Sequence, residues 1–421
     1  MSDSPRTLQV NYSTGHEVGS IAVTYPLPVD QALLPAVVIL VGVYLGQLCL
    51  AEEIVFGDAM PDGCLEAAVP LAEMLYDVRR WKDGQSLVPP PLLLSPPQRR
   101  TISLPRTTDV DDDGSHRALL LWSGGKDSSL SALLLKRNGY EPIAVHFTVN
   151  AGVEQIEKSA VHDLSTDIEL DLLEVGYMHA EFLEFSTRYA TDWNQFPRCN
   201  TVPFGRDMLL AALAAPLAAP VGARVLSMGH DHECRNAYFA YEGKSIPRND
   251  VESTRGALLL ERLLSRFIDP GLALLPPVSG LSEFRILEEM LIKHPGIMAR
   301  ASFCFWGDNC GRCAKCLRYY LAQRYLDVDV LDFAVNPLAR GASPELDDIV
   351  DLTGTGLLFQ RQILLCMSRL VERDGGRPGE DRLIDFAAHV YDQVRADLDS
   401  WEAELRVTGT DPQLPATWRY D

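Results

Sequence analysis

The sequence predicts an α/β protein: a doubly wound parallel sheet, preceded by a small N-terminal α+β domain and followed by a helical C-terminal region that carries a four-cysteine zinc clip. Three observations lead there. Short apolar runs alternate with helical segments from Arg117 to Met228, the order expected of βαβ units. A glycine and serine turn, Ser123 to Ser129, joins the first of these runs to a helix. Cys304, Cys310, Cys313 and Cys316 then crowd into one loop.

Composition bounds the function. The chain has 421 residues, 47% hydrophobic and 23% charged, an ordinary globular balance that excludes wholesale disorder. The charge of −20, from 38 Lys and Arg against 58 Asp and Glu, argues against a nucleic-acid partner, because phosphate contact relies on clustered cations. Nine cysteines are an odd number and a poor disulfide framework. The start, MSDSPRTLQV, lacks a charged segment followed by an apolar one, so a cytoplasmic, reduced chain is expected. The apolar stretch Ala32 to Ala51 is interrupted by Pro35, Gly42, Gly46 and Gln47, and no Lys or Arg lies between Arg6 and Arg79. It reads as a buried helix, and no membrane partner is expected.

Taken in order, residues 1–88 form the first domain, with a strand over Glu17 to Tyr25 and an amphipathic helix over Gly63 to Trp81. Residues 89–116 hold Pro89, Pro90, Pro91, Pro96, Pro97 and Pro105, then Asp111, Asp112, Asp113 and Gly114, the composition of a linker. Residues 117–300 form the central domain. Strands are expected at Ala118–Trp122, Ile143–Val149, Leu172–Val175 and Arg224–Met228, and helices at Ser128–Asn138 and Arg206–Leu217. Residues 301–320 hold the clip. In the C-terminal region, 321–421, helical patterning covers the end of a segment 317–335 and all of 357–403.

Ser123-Gly124-Gly125-Lys126-Asp127-Ser128-Ser129 has the chemistry of a phosphate site. Two glycines let the backbone turn tightly against an anion, and the amides of the first helical turn point at it with the helix dipole behind them. Lys126 adds a cation, Ser128 and Ser129 add hydroxyls, and Asp127 can reach a magnesium ion bound to phosphate. The string is neither GxxxxGK[ST] nor GxGxxG.

The cysteines follow C-x5-C-x2-C-x2-C. Four thiolates from one loop close a tetrahedral zinc site; an iron–sulfur cluster is the rival. Gly229-His230-Asp231-His232-Glu233-Cys234-Arg235 follows the fourth expected strand, where doubly wound sheets bind ligands. A solvated loop is the plain alternative. His230 and His232 can also bind metal, although the sequence offers no third ligand. Val202, Pro203 and Arg206 open the preceding helix at the same crevice, and Cys199 and Cys234 lie in segments that reach it. Asn249, Glu252, Arg255 and Gly256 either contact substrate or cap a helix.

The loop resembles that of the N-type ATP pyrophosphatases, the PP-loop superfamily with the adenine nucleotide α-hydrolase fold. That resemblance implies cleavage of ATP between the α and β phosphates and adenine held on the strand at Val145, His146 and Phe147. Together with the V-P-x-x-R element, Asp231–Arg235 and CGRCAKC, it is similar to 7-cyano-7-deazaguanine synthase over about 117–320. Over nearly the whole length the chain also resembles the UDP-N-acetylmuramoyl-L-alanyl-L-glutamate epimerases, through the GGKDS loop, the Asn249–Gly256 segment, Pro277, Ser279 and Leu281, and the terminal C-G-x-C-x-x-C. It departs from the epimerases where His230-Asp231-His232-Glu233 replaces an asparagine-glutamate-histidine string.

These likenesses imply an ATP-dependent enzyme using Mg2+, with a structural Zn2+, that turns a substrate carboxylate into an acyl adenylate. The leading expectation is a cytoplasmic epimerase acting on a small or nucleotide-linked peptide carboxylate, because adenylation makes the α-proton acidic. An ammonia-dependent amide or nitrile synthase is the alternative, and an RNA thiolation enzyme stands behind both. Lys126 and Asp127 would serve phosphate and magnesium, and Arg206 the α-phosphate charge. His230, His232, Glu233, Cys199 and Cys234 are the candidate acid and base, and Asp231, Arg235, Asn249 and Arg255 the candidate substrate contacts.

Overall fold

A computed structural model of the chain describes residues 6–13, 18–49, 51–57, 60–83, 89, 91–94, 116–148, 154–177, 205–247, 251–267, 272–304, 309–340, 358–375 and 377–420. Its centre is a seven-stranded sheet in the order β1-β2-β7-β6-β5-β8-β11. The inner strands are β5 (His116–Leu121), β6 (Tyr140–Thr148), β7 (Asp171–Tyr177), β8 (Val225–Ser227) and β11 (Ala273–Leu275), all parallel. β1 (Thr7–Ser13) and β2 (Val18–Thr24) form an antiparallel hairpin that joins the sheet through β2 and β7. Five parallel strands with crossover helices confirm the doubly wound α/β expectation.

Successive residues of a strand face opposite sides, and both sides of this sheet are covered. Leu119, Val145 and Leu226 belong to one apolar cluster. Ala118, Leu120 and Ala144 belong to a second. The first cluster also holds Ile21, Val23, Leu33, Val37 and Leu40. The proline-rich boundary therefore divides compositions, not cores: β1 and β2 extend the sheet, and the helix α1 (Leu34–Cys49) packs on the helix α5 (Arg206–Ala214). Among the described residues no helix is long and apolar enough to cross a membrane. β4 (Leu92–Leu94) pairs in parallel with β3 (Ile54–Phe56), and residues 95–115 lie outside the described residues.

The second cluster sets α3 (Lys126–Arg137) against the sheet and joins it to Cys313, Cys316 and Tyr319. Helix α3 starts two residues earlier than the sequence predicts because Gly125 serves as its N-cap. The expected helix 317–335 runs over Ala314–Leu326 (α10) and stops where Asp327 turns left-handed at φ 55. The long 357–403 expectation divides into α11 (Leu358–Asp374), α12 (Asp381–His389), α13 (Tyr391–Val394) and α14 (Leu398–Leu405). Gly375 and Gly379 at φ 67 and 84, with Pro378 between them, break the first two apart. These helices pack on Leu317, Leu321 and Phe284 in a third cluster.

Candidate functional site

The phosphate loop stands beyond the carboxyl end of β5, the side on which doubly wound sheets take ligands. Gly124 adopts φ +66, and a Cβ there would sit 3.2 Å from the Val161 backbone nitrogen. Gly125 would meet the Ser302 carbonyl at 3.3 Å. Ser302 in turn donates its N–H to the Gly124 carbonyl at 2.9 Å, so the segment leading to Cys304 clamps the loop. The first amides of α3 have no intrahelical acceptor by geometry. Ser128 Oγ donates to the Gly125 carbonyl at 3.1 Å and stands 3.3 Å from Ser123 Oγ. Ser129 is fully buried.

Lys126 lies 2% exposed, with Nζ 2.5 Å from Asp127 and 3.5 Å from Glu283. Glu283 pairs with Arg318. Burial works against the Lys126 ammonium, but Asp127, Tyr319 and Glu283 outweigh it and hold its pKa well above the usual value. The cation is therefore permanent. Beside it, burial and then the Asp127 charge push Asp231 up. Burial, Asp231 and Glu283 push Glu233 far up.

The loop after β8 is pressed onto α3: a Cβ on Gly229 would stand 3.1 Å from the Asp127 carbonyl carbon and the Ser128 nitrogen. Gly229 thus lies against the phosphate loop, with Asp231 near enough for the Lys126 and Asp127 charges to act on it. The side chains that follow Gly229 differ in role. Asp231 caps the short helix α6 (His232–Asn236), accepting from the Cys234 N–H at 2.8 Å. Glu233 accepts from the Glu283 N–H at 3.0 Å, at the start of α8 (Glu283–Lys293). His230 Nε2 lies 3.3 Å from Asp207, whose other oxygen accepts from Arg206 at 3.0 Å. His232 Nδ1 is 3.0 Å from the Asn236 amide nitrogen, and burial lowers its pKa. Burial raises the Cys234 thiol well above the ordinary range, which leaves little thiolate to act as a nucleophile.

Arg235 is turned elsewhere. It is fully buried, and its guanidinium donates to both Asp411 oxygens at 2.8 and 3.1 Å, to the Ser253 carbonyl at 3.2 Å and to Gln413 at 2.5 Å. Its donors hold the C-terminal tail, not a substrate. Arg255 is exposed and donates to the Ser245 carbonyl at 3.4 Å, while Ser253 caps the helix α7 (Thr254–Leu264). Val145 is buried in the sheet and its carbonyl accepts from the Trp122 N–H at 2.9 Å. His146 and Phe147 are half-buried near the end of β6, with His146 Nδ1 3.0 Å from the Trp122 carbonyl. Cys199, Val202, Pro203 and Asn249 lie outside the described residues. Sequence reasoning missed Asp207, Glu283, Arg318 and Tyr319. Only Asp207 had a local signal, as the neighbour of Arg206.

The four clip thiols lie within 4.8 Å of one another, with Cys304 to Cys313 at 4.0 Å and Cys310 to Cys316 at 3.9 Å. A Zn–S bond of ~2.3 Å in a tetrahedron puts sulfurs ~3.8 Å apart, so these residues fit zinc. Backbone N–H groups of Cys310, Arg312 and Cys316 point at Cys304, Cys310 and Cys313 sulfurs at 3.3 to 3.4 Å. Gly311, at φ +71, allows the turn: a Cβ there would fall 1.8 Å from the Val335 carbonyl oxygen.

Comparison with known proteins places this geometry. The family model of the queuosine biosynthesis protein QueC matches residues 117–323, from β5 into α10 and across both the loop and the clip. A 7-cyano-7-deazaguanine synthase of Campylobacter concisus is 27% identical over 210 residues, covering 48% of this chain and 90% of its own. That of Sulfolobus acidocaldarius is 25% identical over 224 residues, 49% of this chain and 45% of its own, and that of Nitratiruptor sp. 29% over 130 residues. The chain thus spans under half the length of the archaeal relative. These matches overturn the epimerase expectation and with it the peptidoglycan substrate: the matched stretch holds the loop, the Asp231–Arg235 string and the clip. The chain carries a PP-loop-type, mostly parallel α/β fold with a four-cysteine cluster in its C-terminal part.

Proposed function

We propose that this chain is an ATP-dependent carbon–nitrogen ligase of the 7-cyano-7-deazaguanine synthase type, which adenylates a small carboxylate and passes the acyl group to ammonia. The observation that carries the reading is the match over 117–323, which takes in the phosphate loop and the cysteine clip together. The charge of −20 supports a small substrate over a nucleic acid. A nitrile carbon has the oxidation level of a carboxyl carbon, so the fitting acceptor is the 7-carboxylate of a deazaguanine.

The chemistry follows in balanced steps. A carboxylate oxygen attacks the α-phosphorus of ATP, the bond to the β-phosphate breaks, and pyrophosphate leaves. The lone pair of ammonia then attacks the acyl carbon, AMP leaves with the bonding pair, and the nitrogen loses a proton to give the amide. In a second adenylation the amide oxygen attacks the α-phosphorus of another ATP and pyrophosphate leaves; the nitrogen then loses both its protons as AMP departs with the C–O bonding pair, giving the nitrile.

Gly124, Gly125 and the first amides of α3 would hold the departing pyrophosphate. Arg206 stands at the start of α5, 48% exposed, to meet charge developing at the α-phosphate. Asp127 would hold Mg2+, which neutralises phosphate charge when bound. The thiols of Cys304, Cys310, Cys313 and Cys316 would hold Zn2+ as a clip that fixes Ser302 on Gly124. Glu233, whose carboxyl burial pushes well above its ordinary value, would move protons at the acyl centre.

The test is incubation with ATP, magnesium, ammonium and the deazaguanine 7-carboxylate. AMP and pyrophosphate in equal amounts, with amide or nitrile formed only when ammonium is present, is the expected result. ADP as the sole nucleotide product would refute it.

A further inference from the structure

The histidine that the sequence left without a third ligand has two carboxylates beside it. Asp207, at the start of α5, His230, after β8, and Glu252, before α7, converge so that one ligand atom from each lies within 4.8 Å of the others. They come from three separate segments, so the arrangement is a product of the fold and not of local sequence.

Three features bear on what sits between them. First, Asp207 and Glu252 each bring a carboxylate oxygen within 4.8 Å of the other. Two carboxylates that close repel one another, and a cation between them relieves that repulsion. Second, His230 Nε2 lies 3.3 Å from Asp207, longer than the ~2.7–2.9 Å of a charge-assisted hydrogen bond. It is instead close to the spacing of two atoms bound to one ion at ~2.1 Å and a roughly tetrahedral angle. Third, His230 is only 7% exposed, so the ring whose Nε2 faces Asp207 is held in the fold beside the two carboxylates.

The surroundings orient the donors as an outer shell does. Arg206 holds the first oxygen of Asp207 at 3.0 Å and leaves the second toward His230. Ligating carboxylates elsewhere are fixed by such partners.

We propose that Asp207, His230 and Glu252 form a second metal site, separate from the cysteine clip, for a divalent transition ion of the Mn2+ or Zn2+ kind. One imidazole among two carboxylates selects these ions over magnesium, which prefers oxygen alone, and over the soft-ligand metals that thiolates hold. Because Gly229 packs on Asp127 and Ser128, the ion would stand beside the phosphate loop. The proposal does not depend on the reaction assigned above.

The test uses the full chain and Mn2+ alone, without nucleotide, with free Mn2+ followed by electron paramagnetic resonance. Mn2+ is a poor guest for four thiolates, so it reports on this site and not on the clip. The expected result is one tight equivalent per chain, weakened at least about tenfold in Glu252→Gln and in His230→Gln, and unchanged in His162→Ala, a surface control. Circular dichroism establishes that each variant is folded. In the wild type alone, Mn2+ should raise the melting temperature, a readout that needs no variant. No bound Mn2+ in the wild type, or equal binding in both glutamine variants, would overturn the proposal and leave a shared proton between Asp207 and Glu252.

Discussion

Arg235 offers the sharpest test of how the structure divides supporting from reacting residues. It is fully buried, and Asp411, with a side chain 3% exposed, takes two of its hydrogen bonds. Replacing Asp411 by alanine strands a buried guanidinium, a change that typically costs about 3–5 kcal/mol. Gln413 and the Ser253 carbonyl remain on Arg235, so the low end, about 3 kcal/mol, applies. For a cooperative unit of ~150–250 residues that lowers the melting temperature by roughly 6–12 °C, at ~2–4 °C per kcal/mol. The assay is calorimetry on the wild type, Asp411→Ala, and the double variant Arg235→Met with Asp411→Leu. The double variant should be more stable than Asp411→Ala, because apolar isosteres of a buried pair are often neutral. A shift below about 2 °C in Asp411→Ala, well under the range from the same scaling, would refute the reasoning and return Arg235 to the list of substrate contacts.

Three further outcomes follow from the site. Glu233 is held well above its ordinary 4.5 by burial, Asp231 and Glu283, so the folded chain keeps a proton that the unfolded chain releases above pH 4.5. Stability tied to this group is present in acid and falls as pH rises through the folded value. Glu233→Gln should flatten the fall of melting temperature with pH above 4.5, and an unchanged slope would refute the assignment. Gly311→Ala drives a Cβ into the Val335 carbonyl at 1.8 Å. Elemental analysis should then find well under the roughly one zinc per chain expected of a closed four-thiol site, and full zinc occupancy would refute the knuckle argument. Asp127→Asn should cut AMP formation by about 10²–10³-fold, the usual effect of losing one charge-stabilising group; normal turnover would remove Asp127 from the phosphate chemistry.

What the sequence disclosed was local. Ser123 to Ser129 was readable because a strand, a glycine turn and a helix start adjoin in the chain, and the clip because its four cysteines fall within one loop. The interior strands could be read from apolar runs, yet β11 could not, being only Ala273–Leu275. The network behind Lys126 was invisible for a different reason. Glu283 and Arg318 lie on α8 and α10, more than a hundred residues from the loop they compensate. Asp207, His230 and Glu252 likewise come from separate segments. No periodicity announces such pairs, because only the packing of helices onto the sheet creates them. The epimerase expectation failed through another local effect: glycine loops and cysteine knuckles are short motifs shared across a superfamily, and they specify ATP and metal better than the acceptor.

The matched stretch 117–323 leans on what lies outside it, which decides how this chain can be dissected. Asp411 and Gln413 satisfy Arg235. Gly409 donates to the Gly280 carbonyl at 2.7 Å, and the Tyr420 hydroxyl accepts from the Gly280 N–H at 2.9 Å. Gly280 lies one residue from Leu281, whose carbonyl accepts from the His232 N–H at 2.9 Å. The tail therefore fixes the far side of the loop that Gly229 presses on the phosphate turn. At the other edge, β2 covers β7, and Ile21, Val23 and Leu33 share a cluster with Leu119 and Val145. Cut free, the matched stretch would expose that apolar face and leave a buried arginine uncompensated, two named routes to large destabilisation. The flanking segments are thus part of the unit that holds the site in shape, even though the nucleotide loop itself lies entirely within the matched region.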